Sequence, residues 1–107
     1  MDQKVYSLLQ PLNLPIKKFI YEGDQQNYIT FFEVIENGML FADNQEQITG
    51  HYYQIDLWSD SSSTIERIYK DMKRLLDQAD VHREDKQTFF EDDTKTYHYA
   101  IGVRLWE

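Results

Sequence analysis

From Tyr97 to Trp106 the side chains alternate without a break: Tyr97, Tyr99, Ile101, Val103 and Leu105 fall on one side, His98, Ala100, Gly102, Arg104 and Trp106 on the other. Successive side chains of an extended chain point to opposite faces, so the pattern demands a strand with one face against a core. Residues 49–58 repeat it, with Tyr53, Ile55 and Leu57 opposed to Tyr52, Gln54, Asp56 and Trp58. Between these strands the period changes. Ile65, Ile68, Tyr69, Met72, Leu75, Leu76 and Ala79 keep one stripe at helical spacing, and Ser63 with Glu66 forms a capping box, which predicts a helix over about 63–79. Such a helix must lay its stripe on the apolar side of the strands. The expected fold is α+β, a mostly antiparallel sheet with this helix on one face.

The remaining elements fit around that unit. Val5, Leu8, Leu9 and Leu12 predict a short amphipathic helix over 2–10, ended by Pro11. Residues 16–21 read as a short extended segment stopping at the Gly23-Asp24 turn signal. Tyr28 to Ile35 is rich in β-branched and aromatic residues, a strand with little exposure. Asn37-Gly38 supplies a type I′ turn, so Met39 to Ala42 should fold back, followed by a polar loop at 43–47. Residues 81–90 and 97–106 should form a second hairpin turning at 91–94. With no repeat or linker, residues 1–107 are expected to form one domain, burying roughly 60–70% of the surface of the unfolded chain.

Charge narrows the function. The formal net charge is -8, and from Phe19 to Glu66 there is no Lys or Arg. Nucleic-acid affinity comes largely from Lys and Arg neutralising phosphates, so no sequence-specific nucleic-acid binding is expected. The N-terminus lacks the apolar stretch of a signal peptide and no apolar run is long enough to span a bilayer, which predicts a cytoplasmic protein with no membrane association. Basic residues gather at Lys17-Lys18 and in the helix, where Arg67, Lys70, Lys73 and Arg74 form a basic edge. The acidic residues Asp24, Asp43, Glu46, Glu91, Asp92 and Asp93 fall in predicted loops. Opposite charge on separate surfaces suits a head-to-tail contact; i, i+4 pairs such as Glu66-Lys70 are the plainer explanation of the helix pattern.

Catalytic chemistry finds little to work with. There is no cysteine, and the four glycines are isolated, so neither a thiolate nor a glycine-rich phosphate loop is available. His51, His82 and His98 lie in three predicted strands, outside any helical metal-ligand spacing; His51 and His98 could pair only if their strands were neighbours in the right register. Ser59, Ser61, Ser62 and Ser63 lack a nucleophile-elbow context, and capping accounts for Ser63. No catalytic residue, cofactor or metal is expected. Trp58 and Trp106 fall on the polar-phase side of their strands, where they are either interface anchors or covered by a loop or the N-terminal helix.

Four strings, Tyr28-Ile-Thr-Phe-Phe-Glu33, Phe41-Ala-Asp43, Tyr52-Tyr-Gln-Ile-Asp-Leu-Trp-Ser59 and Asp93-Thr-Lys-Thr-Tyr-His-Tyr-Ala100, resemble the small tail-completion, or tail-terminator-like, proteins of siphophages and prophages of Gram-positive bacteria. The likeness runs from about Tyr28 to Glu107. It implies a non-enzymatic virion subunit that joins copies of itself into a hexameric ring at the head-tail junction, meets other connector or tail-tube proteins, and resides in the host cytoplasm during assembly. Trp58, Trp106 and the basic helix edge would then serve subunit contacts, and the acidic loops would face a lumen or partner. A second reading is an acidic binding module, an inhibitor or DNA mimic offering carboxylates to a basic partner. A third is a small hydrolase using scattered carboxylates and histidines.

Overall fold

The computed structural model describes residues 2–34, 50–92 and 94–106. In chain order the elements are α1 (Asp2–Leu9), β1 (Ile16–Lys18), β2 (Tyr28–Val34), β3 (Gly50–Ser59), α2 (Ser62–Gln78), β4 (His82–Glu91) and β5 (Thr96–Trp106). The five strands form one sheet in the order β1-β2-β3-β5-β4. Every pairing is antiparallel except β1 with β2. This is the expected α+β fold. The expected turn at Asn37-Gly38, its return arm and the loop at 43–47 lie outside the described residues.

Register follows the alternation. Ile55 stands between Phe31 on β2 and Ile101 on β5, and Leu57 between Ile29 and Tyr99, so the apolar phases of three strands coincide on one face. Helix α2 lays Ile65, Ile68, Met72 and Leu76 on that face. Helix α1 lies on the same side: Val5 and Leu9 are fully buried, Tyr6 meets Phe31 edge-on at 5.1 Å, and the Tyr53 hydroxyl donates to Asp2 at 2.7 Å. Pro11 ends α1 through a 3-10 turn at Gln10–Leu12 instead of an abrupt stop.

Four expectations need correction. The cap of α2 is Ser61, not Ser63: Ser61 is extended (φ -129°, ψ 125°) and its hydroxyl accepts from the Thr64 amide at 3.3 Å. Among neighbouring serines, the backbone already turned by the Ser59 hydroxyl accepting the Ser61 amide decides which one caps. Strand β1 ends at Lys18 rather than Tyr21, because Phe19 takes φ 70°. Leu75 leaves the sheet-facing stripe; it is half-buried, beside Leu12 and Leu14. Finally, the polar phase of β3 is not a solvent face, since Tyr52 and Asp56 are buried.

Leu76 and Leu75 therefore separate the core from its margin. Leu76→Ala should cost roughly 2–5 kcal/mol in chemical denaturation, the range for a buried leucine, and Leu75→Ala distinctly less. Equal losses would contradict the placement of α2.

Candidate functional site

The face of the sheet away from the helices carries its own packed layer. Register sets Trp58 opposite Tyr28 on one side and His98 on the other. The indole stacks on the imidazole, with centroids 3.8 Å apart and planes 13° from parallel, and more loosely on Tyr28 at 5.9 Å. Tyr28 stacks in turn on Tyr21 at 4.6 Å. These rings stand edge-up in a row, their faces filled by one another. The indole Nε1 donates to the Thr30 hydroxyl at 3.1 Å, which satisfies the polar tip of the tryptophan.

The imidazole at the end of this row belongs to a buried polar pair. His98 Nε2 lies 2.7 Å from Asp56 Oδ1, and Asp56 also accepts from Gln54 Nε2 at 2.9 Å. On the far side of the ring, His98 Nδ1 is 3.5 Å from Glu91 Oε2. The imidazole thus has a carboxylate at each nitrogen, one from β3 and one from β4, while it sits on β5. Its side chain is only 10% exposed. A general base needs a nitrogen turned towards a substrate; here both nitrogens are turned towards the protein, and the ring ties three strands together.

The other histidines are elsewhere. His51 and His98 are on neighbouring strands, but His51 pairs with Leu105 and His98 with Trp58, and they project from opposite faces, so they cannot share a metal. His51 Nδ1 lies 2.7 Å from Glu33 on the helix side. Among the described residues no group of three or more His, Cys, Asp or Glu is arranged to hold a metal ion, and no helix is long and apolar enough to cross a membrane.

The expected interface residues divide. Trp58 is half-buried in the row above, and α1 does not cover it. Trp106 is 50% exposed at the end of β5, its ring so close over Gly50 that a Cβ there would fall 2.6 Å from the indole. Arg67, Lys70 and Arg74 are exposed along α2; Lys73 is half-buried, its ammonium 5.1 Å over the Tyr69 ring. Arg74 pairs with Asp71 at 3.4 Å, one helical step of three. Tyr69 lies in the groove between α2 and β4. Burial, and a hydrogen bond from its hydroxyl to the Asp85 carboxylate, push its pKa up to about 12.

Of the acidic loop residues, Asp24 and Asp92 are exposed and Glu91 is half-buried against His98. Ser59 pairs with Tyr97, and its hydroxyl hydrogen-bonds Asn27, so the 19–27 loop and the β4–β5 turn lie at one end of the sheet. The structure thus gathers Asp24, Glu91 and Asp92 at that end. Asp43, Glu46 and Asp93 lie outside the described residues. What the sequence did not single out is the group Thr30, Asp56 and His98. Asp56 and His98 both fall on polar phases, yet only the strand register makes them partners.

No protein-family model matches the chain, and no curated protein is significantly similar to it.

If the pair holds the second face together, Asp56→Ala should destabilise the protein by about 1–3 kcal/mol, the penalty for a buried polar group deprived of its partner. Thermal or urea unfolding measures it. A loss below about 0.5 kcal/mol, the level of surface substitutions, would show that the pair carries no structural role.

Proposed function

We propose that this chain is a non-enzymatic structural subunit of a bacteriophage or prophage particle, a tail-completion or head-tail joining protein that assembles with copies of itself into a ring. The observation that carries the reading is the way the sheet is finished. One face is covered by two helices, and on the other the strands' own side chains pack together around the half-buried Trp58 and the buried His98–Asp56 pair, whereas charge and apolar surface collect on the periphery. That arrangement suits a building block, which needs a rigid body and sticky margins rather than a cleft. Of the four strings that resemble tail-completion proteins, three lie largely in β2, β3 and β5, the strands that make this body, and Phe41–Asp43 lies outside the described residues.

The periphery supplies surfaces for such a role. The exposed cations Arg67, Lys70 and Arg74 form a ridge on α2, Trp106 stands half-exposed at the sheet margin, and Asp24 and Asp92 lie at one end. Carboxylates around a channel would let DNA pass without adhering. The net charge of -8 also fits the acidic binding module, an inhibitor or DNA mimic, which remains the second reading. That module would need a basic partner and would leave the particle intact without it.

Imaging particles made without this protein separates the two. Complete heads and complete tails that fail to join are the expected result. Normally joined particles would overturn the assignment.

A further inference from the structure

The outermost strands are β1 and β4, and among the described residues neither has a pairing strand on its outer edge. Following the register across the sheet, Lys18 stands in one row with Phe31, Ile55, Ile101 and Asp85. Lys18 and Asp85 are therefore level, at opposite margins, and in phase with the same helix-side face. Their side chains are 41% and 53% exposed. Glu84, also exposed, occupies the next row on β4 and the opposite face, the face shared by exposed Lys17 on β1.

Strand direction completes the match. β1 runs parallel to β2, and each of the three further steps to β4 is antiparallel, so β1 and β4 point in opposite directions. A second copy placed beside the first in the plane of the sheet would continue it antiparallel, its Lys18 directly opposite the first copy's Asp85. Opposite charges so placed are favourable, and like charges are not. Two β1 edges would set lysines against lysines, whereas the head-to-tail combination sets Lys18 against a carboxylate.

The β1 edge also carries apolar surface held out by its own backbone. The Phe19 amide donates to Phe31 at 2.9 Å and the Ile20 amide to Lys18 at 2.8 Å, a γ-turn with Phe19 at φ 70°. A bulky residue rarely adopts that conformation. Its result is that Phe19 and Ile20 are 68% and 66% exposed, next to each other at that edge; on β4, Phe90 is 42% exposed. Lysines and a bulge, here between Asp85 and Gln87, are the features that keep an edge from indiscriminate pairing. They leave it open to a charge-matched partner.

We propose that the β1 edge, through Lys17, Lys18, Phe19 and Ile20, docks on the Glu84-Asp85 stretch of the β4 edge of a second copy, extending the sheet from subunit to subunit. This rests on the assembly reading above and locates its self-contact at the sheet edges instead of the α2 ridge. Such a heterologous contact closes into a ring when the rotation per subunit allows.

Directly opposed residues of an antiparallel pair have Cα atoms about 4.5–5.5 Å apart, within disulfide reach. The chain has no cysteine of its own, so the double variant Lys18→Cys/Asp85→Cys is a clean probe. Oxidised at high protein concentration, it should give a ladder of covalent multimers, whereas each single variant stays monomeric and a mixture of the two singles stops at dimers. Lys17→Glu/Lys18→Glu should weaken self-association roughly tenfold or more, and adding Glu84→Lys/Asp85→Lys to the same chain should restore it. Circular dichroism confirms that each variant is folded; the exposed Lys18–Asp2 bridge, 2.8 Å long, contributes little. A double variant that stays monomeric, or single variants that cross-link equally well, would overturn the edge contact. If edge cross-links fail while particles still need the protein and Lys70→Glu/Arg74→Glu blocks joining, the edge contact falls and the assembly role stands. If the ladder forms but particles lacking the protein join normally, the role falls and the edge contact stands.

Discussion

The buried pair of Asp56 and His98 gives β3 a second covered face, and the proportions of the molecule depend on it. A five-stranded sheet with helices on one side would ordinarily leave its other side to water. Here Asp56 is 5% exposed and His98 8%. Polar groups so placed are costly unless satisfied. Asp56 has the imidazole and the Gln54 amide as partners, and the Trp58 ring lies flat on the histidine. Because His98 also faces Glu91, the layer fixes β4 and β5 to β3 from the side the helices do not reach.

From this the distribution of surface follows. With one face under the helices and the centre of the other packed, the edges and ends are left for contact, and those are where Phe19, Ile20, Phe90 and Trp106 are exposed. The charges lie along the same margins, Lys17 and Lys18 at β1 and Glu84 and Asp85 at β4, with Lys18 and Asp85 in one row. A role in assembly uses all of these features, and it asks nothing of the sheet faces.

How much of this was legible depended on the kind of information. Period-two alternation at 97–106 and the apolar stripe of α2 are local patterns, and they led directly to the strands, the helix and the α+β class. Leu75 shows the limit: it fits the stripe, but the turn at Gln10–Leu12 and the chain beyond it draw it to the edge of the core. The cap at Ser61 depended on backbone already bent by Ser59, which several adjacent serines disguise. Trp58 was visible as an anomaly on a polar phase. Its explanation was not, because stacking on His98 exists only once β3 and β5 are aligned with Trp58 opposite His98, and alternation leaves register open by any even number of residues.

In the proposed assembly, the sheet is already packed at its centre in the single subunit, and the edges are covered only between subunits. Amide hydrogen exchange, compared between the isolated chain and the assembled particle, tests this arrangement most directly. β3 and β5 should already be strongly protected in isolation and change little, while residues 16–20 and 82–91 should gain protection on assembly. Protection gained along 67–74 of α2, with both edge segments unchanged, would contradict it.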